Sequence, residues 1–243
     1  MKNIKERVSI IIPTHNEEKR IKRTLVRYGD YFTLNNEILV ILDNCQDRTL
    51  QIVKSLTNKY PYLRYKDIPY PVGKGGALIE GFKLVKGGII AYIDADGSTS
   101  PEELDRLIKN MREADGVIGS RWSSGAVICK KQPLIRKIAS RIFNLLVRAL
   151  FLFPYRDTQC GAKVFRREVI EQIVDQLGTT NFAFDVDLLY RLHKKNYWIK
   201  ELPTVWADQS GSTLDLKKVA PIMLIAVIEL RLKNSFLKIF FRE

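Results

Sequence analysis

The chain has 243 residues, of which 46% are hydrophobic and 28% charged, so it holds enough apolar material for a core and does not have the composition of a disordered chain. Its length suits one α/β domain with a C-terminal extension. The three cysteines, Cys45, Cys129 and Cys160, are widely spaced and form no Cys-x-x-Cys pair. This argues against a zinc site or a disulfide framework and favours a reducing compartment.

The net charge of +13 is concentrated in two parts of the chain. Residues 116–156 contain eight basic residues and no acidic one, and residues 216–243 contain six basic and two acidic residues. Both stretches are also rich in apolar side chains, a combination that favours an anionic surface or substrate as partner. An ordinary basic surface is the alternative interpretation.

No targeting or membrane-spanning segment is predicted. The seven residues before the first apolar run lack the features of a signal peptide. The longest apolar stretches, 142–153 and 219–228, contain Asn144, Arg148 and Pro221. Both are shorter than the roughly 20 residues that cross a bilayer.

Short β-branched runs alternate with amphipathic patterns, which predicts a Rossmann-like α/β fold with a mostly parallel sheet flanked by helices. In chain order the predicted strands are 8–12, 37–42, 62–65, 88–93, 116–120, 158–165 and 198–205. The predicted helices begin at Asn16, after Asp47, at Gly73, after Ser100, and near Leu134, Phe184 and Val219. Ser100 followed by Pro101 is a strong helix start, since serine caps and proline fits the first turn.

Carboxylates follow two of the predicted strands, at the sheet edge where ligands bind in open α/β folds. Asp43 ends the second strand and suits a base or ribose, or an Asx turn. Asp94 and Asp96 follow the fourth strand, and a pair two residues apart can hold Mg²⁺ together with the phosphates of a nucleotide. A solvated turn in which an aspartate caps the next helix is the alternative.

Lys74, in the glycine-rich run 73–76, starts a predicted helix and could bind a pyrophosphate there. The run is not a phosphate loop, because Pro69 and Gly75 stand where the GxxxxGK[ST] pattern needs glycine and a hydroxyl residue. No GxGxxG follows the first strand, which argues against a nicotinamide cofactor.

The predicted helix 134–152 is amphipathic. Its polar stripe is Lys137, Arg141, Asn144 and Arg148, and its apolar side is Ile138, Ile142, Leu145, Leu146 and Leu150. The pattern fits a core-facing helix with a solvated face, and it also fits a helix in a membrane interface. The apolar run 219–228 and its basic tail favour membrane-associating C-terminal helices.

Taken together, the motifs resemble glycosyltransferase family 2, which has the GT-A fold. The resemblance rests on VSIIIPTHNEE (8–18), DNCQDRT (43–49), GKGGA (73–77), Asp94-Ala95-Asp96 and GSR (119–121). RDTQCG (156–161), KVF (163–165) and AFDVDLLY (183–190) are similar to the dolichyl-phosphate β-glucosyltransferases, to which the dolichyl-phosphate mannose synthases are related. The family pattern often has an aromatic residue at His15, a second aspartate at Asn44 and a larger residue at Ala162.

The resemblance implies a metal-dependent, inverting transfer of a hexose from UDP-glucose to dolichyl or polyprenyl phosphate, with Mg²⁺ or Mn²⁺ as cofactor. GDP-mannose as donor and a hydroxyl acceptor remain alternatives. The implied partners are the nucleotide sugar, the lipid phosphate and a membrane surface, with the protein peripheral on the cytoplasmic face. A sugar-phosphate nucleotidyltransferase would carry a glycine-rich loop where this chain has residues 13–17, and no nucleic-acid-binding motif is present.

Site residues follow from the resemblance position by position. Those implied for the nucleotide sugar are Pro13, Thr14, Glu17, Asp43, Lys74, Asp94 and Ser98, and those implied for the metal are Asp94 and Asp96. Those implied for the acceptor phosphate are Arg121, Arg136 and Ser140, and the catalytic set is Asp96, Arg121, Asp185 and Asp187. Asp185 and Asp187 lie near the position of the general base in members that glycosylate hydroxyls, or are simply acids at a helix start.

The chain is predicted to divide at residue 215. Residues 1–215 would form the glycosyltransferase domain, with a nucleotide-sugar and metal half at 8–122 and an acceptor half at 123–215. Residues 216–243 would form a basic amphipathic segment.

Overall fold

The computed structural model describes residues 6–129, 134–181, 183–207 and 216–234, with only the backbone described at 134–136 and 216–220. The strands are β1 (Val8–Thr14), β2 (Glu37–Asp43), β3 (Leu63–Ile68), β4 (Ile89–Tyr92), β5 (Gly116–Ser120), β6 (Val127–Ile128), β7 (Lys163–Arg166), β8 (Ile199–Pro203) and β9 (Val205–Trp206). The α-helices are α1 (Ile21–Tyr31), α2 (Thr49–Thr57), α3 (Gly73–Leu84), α4 (Pro101–Lys109), α5 (Leu134–Phe151), α6 (Arg167–Glu171), α7 (Phe184–Lys194) and α8 (Leu216–Lys233).

Seven strands form one sheet in the order β3-β2-β1-β4-β7-β5-β8, and β6 pairs with β9 in a separate ribbon. β7 is antiparallel to both of its neighbours, and the other strand pairs of the sheet are parallel. The predicted mostly parallel α/β sheet is therefore confirmed. From β1 the chain moves outward to β2 and β3 and then returns to β4 on the other side of β1. Such a reversal opens a crevice at the carboxyl ends of the strands.

Helices cover both faces of the sheet, which explains why its central strands are apolar without interruption. Successive side chains of a strand point to opposite faces, so Ile10 and Ile12 enter one core cluster and Ile11 enters the other. The first cluster takes its helical residues from α1, α2 and α4, and the second from α3 and α5–α8.

The start of α4 has the predicted capping arrangement. The hydroxyl of Ser100 accepts a hydrogen bond from the Glu103 amide at 3.2 Å, and Pro101 occupies the first turn. Glu103 is buried, and its carboxylate accepts the Thr204 hydroxyl at 2.7 Å. The helix start is therefore fixed against the segment between β8 and β9.

Several predicted boundaries are wrong, among them the end of the third strand, which lies at Ile68 and not at residue 65. The first helix begins at Ile21 and not at Asn16, because Asn16 has a φ of 50° and its side chain accepts the Gln46 amide at 2.8 Å. The predicted strand 158–165 begins only at Lys163. The predicted strand 198–205 is interrupted at Thr204, where the chain leaves the sheet for the β6–β9 ribbon.

The amphipathic helix α5 turns part of its apolar side outward. Ile142 and Leu145 are 63% and 65% exposed, whereas Asn144, from the predicted polar stripe, is 3% exposed. Val147 on α5 and Val227 on α8 join the same core cluster. The described part of the chain contains no helix with the length and apolarity needed to cross a membrane. The division of the chain at residue 215 stays a prediction.

Candidate active site

Hydrogen bonds join the polar ends of β1 and β2 to each other and to the start of α3. His15 Nδ1 lies 2.6 Å from the backbone oxygen of Asp43, and the Cys45 thiol donates to the backbone oxygen of Thr14 at 3.5 Å. The Asp43 carboxylate accepts the Val72 amide at 2.8 Å, just before α3 begins. Pro13 and Thr14 end β1 beside them, in register with Ile41 and Leu42. The residues predicted to bind a nucleoside therefore share one edge of the sheet.

Asp94 and Asp96 follow β4 at the same edge. Asp94 Oδ1 lies 2.9 Å from Lys74 Nζ, and Asp96 accepts the Ser98 amide at 2.9 Å. A Cβ atom on Gly161 would lie 1.9 Å from Asp94 Oδ2, so only glycine leaves room for this carboxylate. Burial and the neighbouring charge of Asp94 raise the pKa of Asp96. A cation would stabilise this pair of carboxylates.

Lys74 lies between two carboxylates, Asp94 at 2.9 Å and Asp185 at 3.5 Å. Burial acts to lower the pKa of Lys74, but the charges of Asp185 and Asp94 outweigh it and raise that pKa. The ammonium group at the start of α3 is therefore charged at neutral pH, next to the aspartate pair.

Asp185 belongs to a buried ionic network. Its Oδ1 accepts both the Lys163 ammonium and the Tyr92 hydroxyl at 2.6 Å. Lys163 is fully buried and also donates to the backbone oxygen of Cys160 at 2.6 Å. Burial acts to raise the pKa of Asp185, but Lys163 and Lys74 lower it to about 2. At neutral pH this carboxylate is a counterion and a poor proton acceptor.

Asp187, two residues further along α7, is also buried but has different partners. Its Oδ2 accepts the amides of Gly178 and Thr179 at 3.1 Å each, and its Oδ1 accepts Arg191 Nε at 2.8 Å. The next residue of that loop, Thr180, accepts the Gly75 amide at 2.8 Å through its backbone oxygen. Asp187 therefore fixes a loop that packs against the glycine-rich start of α3.

Glu17 lies in the turn between β1 and α1. Its amide donates to the Thr49 hydroxyl at 2.8 Å, and its carboxylate accepts two hydrogen bonds from Arg20 at 2.6 Å. Burial raises the pKa of Glu17, against the opposing effect of Arg20. A cavity of about 190 Å³ runs from Asp96 along α1. Its basic lining residues are Lys19, Arg20, Arg23 and Arg27.

The residues predicted to contact an acceptor phosphate lie on the β5–α5 side. Arg121 makes a two-point pair with the buried Asp157, Nε to Oδ2 at 2.7 Å and Nη2 to Oδ1 at 3.0 Å. Ser140 lies on α5. The side-chain carbonyl of Asn144, also on α5, accepts the Thr158 amide at 2.8 Å and so joins this helix to the segment that contains Asp157. Arg136 lies in the first turn of α5, and its side chain is outside the described residues.

The aspartate pair suits a divalent cation that shares its ligands with a phosphate group. Within the described ranges no cluster of three or more His, Cys, Asp or Glu side chains is placed to hold a metal. Asp94 and Asp96 would thus supply two carboxylates and leave the other positions to phosphate oxygens and water. Mg²⁺ bound with a nucleotide typically has this ligand set.

Asp157, Lys163 and Tyr92 are not among the predicted site residues, although each contacts one of them. Asp157 and Lys163 lie within the motifs that carry the family resemblance. A charged residue in the sequence is normally expected at the surface. Their buried positions depend on partners between 22 and 36 residues away, which local patterns do not reveal.

Comparison with known proteins identifies the family. The model of the family described as "Glycosyl transferase family 2" matches residues 9–174. The glycosyltransferase AglD of Haloferax volcanii is 31% identical over 216 residues, which cover 86% of this chain and 34% of AglD. The chain thus spans about a third of that relative.

Two further relatives are dolichyl-phosphate β-glucosyltransferases. The protein of Dictyostelium discoideum is 30% identical over 224 residues, covering 86% of this chain and 68% of the relative. The protein of Saccharomyces cerevisiae is 30% identical over 237 residues, covering 86% of this chain and 69% of the relative.

The fold is similar to that of glucosyl-3-phosphoglycerate synthase from Mycobacterium tuberculosis, whose crystal structure contains Mn²⁺, UDP and glucosyl-3-phosphoglycerate. The TM-score is 0.72 at 18% identity, covering 93% of this chain and 80% of the synthase. This likeness confirms the predicted GT-A fold. The chain therefore belongs to glycosyltransferase family 2, and within it to the sequence group that contains the dolichyl-phosphate β-glucosyltransferases.

Proposed function

We propose that this chain transfers glucose from UDP-glucose to dolichyl or polyprenyl phosphate, in one displacement that inverts the anomeric carbon. The observation that carries the proposal is the pair Asp94 and Asp96 at the sheet's switch point, with the Lys74 ammonium 2.9 Å from Asp94. Such a site suits a nucleoside diphosphate and a cation. The relatives named as dolichyl-phosphate β-glucosyltransferases support this donor and acceptor.

The donor would bind along the carboxyl edge of β1, β2 and β4. Pro13, Thr14, Glu17 and Asp43 would contact the nucleoside, with Ser98 beside the diphosphate. Lys74 can exchange Asp94 for a diphosphate oxygen without becoming neutral, because Asp185 still lies 3.5 Å from its ammonium group. An ammonium group fixed in this way stabilises negative charge on a leaving group without rearrangement.

Asp94 and Asp96 would hold Mg²⁺ or Mn²⁺ together with the donor diphosphate. The raised pKa of Asp96 fits this assignment, since a bound cation would offset the repulsion from Asp94. When bound, a divalent ion supplies Lewis acidity that stabilises the departing diphosphate. The structurally similar synthase, solved with Mn²⁺ and UDP, supports the same cofactor class.

The acceptor would need no general base. A phosphate monoester has its second pKa near ~6, so the attacking oxygen is already largely ionised at neutral pH. Arg121, Arg136 and Ser140 would orient that phosphate. Guanidinium groups suit a phosphate because their donors form a planar fork, and Arg121, whose Nε and Nη2 donate to Asp157, has further N–H donors to offer. In this account Asp185 holds two lysines in place, and Asp187 holds the loop beside α3.

A donor panel tests the proposal. Purified protein would be incubated with Mg²⁺, a short-chain polyprenyl phosphate and UDP-glucose, UDP-galactose or GDP-mannose, and lipids would be analysed by mass spectrometry. We expect a hexosyl lipid phosphate from UDP-glucose and none from Asp96→Asn. Product from GDP-mannose alone would contradict the donor, and hydrolysis of donors without a lipid product would contradict the acceptor.

The protein would reach its lipid acceptor by lying on a membrane surface through α5 and α8. These helices contact each other and expose large apolar side chains: Ile138, Ile142 and Leu145 on α5, Leu152 directly after α5, and Ile222, Leu224, Ile225 and Ile228 on α8. Basic residues flank this surface on α5, as in helices that bind anionic lipid interfaces. The three free cysteines fit a reducing environment and hence the cytoplasmic face.

Vesicle flotation tests this membrane contact. We expect the protein to float with vesicles that contain anionic lipid and to lose flotation when Ile142 and Leu145 are both changed to aspartate. Leu34→Asp is the matched control, because Leu34 is also highly exposed but lies before β2, away from α5. Equal flotation of the two variants would refute the proposed surface.

A further inference from the structure

The indole of Trp122 has an unused hydrogen-bond donor. Its Nε1 is shielded from solvent and has no hydrogen-bond partner, the only such buried side-chain atom found in the described part of the chain. A buried donor without an acceptor costs roughly 1–3 kcal/mol, so native proteins seldom keep one without a reason. The Trp122 amide donates to the Ser120 hydroxyl at 3.3 Å, in the turn that follows β5.

Two guanidinium groups lie against the same ring. The Cζ atom of Arg141 is 4.8 Å from the centroid of Trp122, and that of Arg121 is 5.9 Å from it. Arg121 is neutralised by Asp157. Arg141 has no ion pair or hydrogen bond with any residue in the described ranges. Among the described residues, one positive charge and one N–H donor at this ring are therefore without a negative partner.

The position of Arg141 on α5 indicates what kind of anion would fit. Arg141 directly precedes Ile142, and Ile138 lies one turn before it, both exposed on the surface assigned above to the membrane. An anion held by Arg141 would thus lie where an apolar chain attached to it could follow α5. A soluble nucleotide has no such chain.

We infer that Trp122 and Arg141 form a recognition site for the phosphate monoester of the lipid acceptor, with Trp122 Nε1 donating to a phosphate oxygen and Arg141 supplying the charge. The inference rests on the proposed function and adds two residues to the acceptor site. Trp122 is a binding residue in this assignment, and its ring also holds the Arg141 guanidinium in place through a cation–π contact.

The indole N–H signals in ¹⁵N-edited NMR spectra test the inference in the wild-type protein, since the chain has only three tryptophans. Trp122→Phe serves to assign the Trp122 signal. We expect that signal to shift on titration with a short-chain prenyl phosphate. No shift should follow with UDP, and only a weaker response should follow with inorganic phosphate.

A shift with UDP and none with prenyl phosphate would overturn the inference, because the site would then serve the donor. An equal affinity for inorganic phosphate would overturn the assignment to a lipid. A Trp122 signal that moves with none of the three would overturn the site itself.

Binding measured by calorimetry gives the second test. Trp122→Phe keeps an aromatic ring and removes the N–H, so prenyl phosphate should bind at least about tenfold more weakly, the lower end of the loss for a hydrogen bond to a charged group. Arg141→Gln should act in the same direction, and UDP should bind both variants as it binds the wild type. The exposed Trp198 and Arg112 supply matched controls, Trp198→Phe and Arg112→Gln.

The transfer assay separates the two possible failures. Prenyl phosphate that binds through Trp122 but is never glycosylated would refute the proposed function and leave the anion site standing. Normal transfer by Trp122→Phe with an unchanged KM for the lipid phosphate would refute the inference and leave the function standing.

Discussion

Replacing Asp185 with asparagine would remove the carboxylate that lies between Lys163 and Lys74 inside the protein. Lys163 is fully buried, and its nearest anion is Asp185 Oδ1 at 2.6 Å. Breaking a buried ion pair by removing one partner costs about 3–5 kcal/mol, because the remaining charge stays without compensation. Domains are stable by only about 5–15 kcal/mol, so the variant should fold but be much less stable.

The pH dependence of the free energy of unfolding gives a second value for the contribution of Asp185. The folded pKa of Asp185 is lowered to about 2 from an ordinary 3.8, so its contribution is present above pH 3.8 and is lost as the pH falls towards 2. The shift corresponds to about 2 kcal/mol at neutral pH. Asp185→Asn should therefore lose part of the acid dependence of wild-type stability.

Urea denaturation and thermal melting measure both effects. For a domain of this size each kcal/mol lowers the melting temperature by roughly 2–4 °C, so Asp185→Asn should melt about 6–20 °C below the wild type. The double variant Lys163→Met/Asp185→Asn should recover much of that loss, since it leaves no unpaired charge at Lys163. A single variant within about 1 kcal/mol of wild type, or a double variant with strictly additive losses, would refute this account of the network.

Three further predictions follow from the described contacts. Asp187→Asn should keep kcat within about tenfold of wild type in the folded fraction, whereas Asp96→Asn should abolish transfer. Loss of a needed general base costs ~100- to 10,000-fold, so equal losses in the two variants would mean that Asp187 is a base. Gly161→Ala should reduce transfer at least about tenfold by displacing Asp94, whose Oδ2 would lie 1.9 Å from the new Cβ. The control Gly178→Ala, whose Cβ would meet no atom within 4 Å, should be active. A fully active Gly161→Ala would show that transfer does not need Asp94 in its present position. Ser100→Ala should lower the free energy of unfolding by about 1 kcal/mol in urea, the value of a helix cap, and no change would mean that the Ser100–Glu103 hydrogen bond contributes nothing.

The sheet and the location of its site follow closely from the sequence. Strands buried on both faces give uninterrupted apolar runs such as Ile10–Ile12, and polar residues directly after them must lie at the sheet edge. The sequence pattern alone therefore places Asp43, Asp94 and Asp96 at that edge. The Ser100 cap could be predicted because its partner, Glu103, is only three residues away.

Features that depend on distant partners could not be predicted in this way. β7 lies between β4 and β5 and is antiparallel to both, and nothing in its four residues, Lys163–Arg166, predicts that position. Lys163 has the sequence signature of a surface charge, and only Asp185 and Tyr92 explain its burial. The spacing of apolar residues in α5 fits an apolar side that faces the core and also one that faces a membrane. The hydrogen bonds that Asn144 accepts from Thr158 show that Asn144 faces inward.

The choice of acceptor is the most direct test of the central claim. Wild-type protein, UDP-glucose and Mg²⁺ would be incubated with a prenyl phosphate and, separately, with the prenol of the same chain length, and the glucosylated lipids would be quantified by mass spectrometry. The account predicts glucosyl phosphate lipid from the first acceptor and no product from the second, since no residue is assigned to remove a hydroxyl proton. Glucosylation of the prenol at a comparable rate would contradict it.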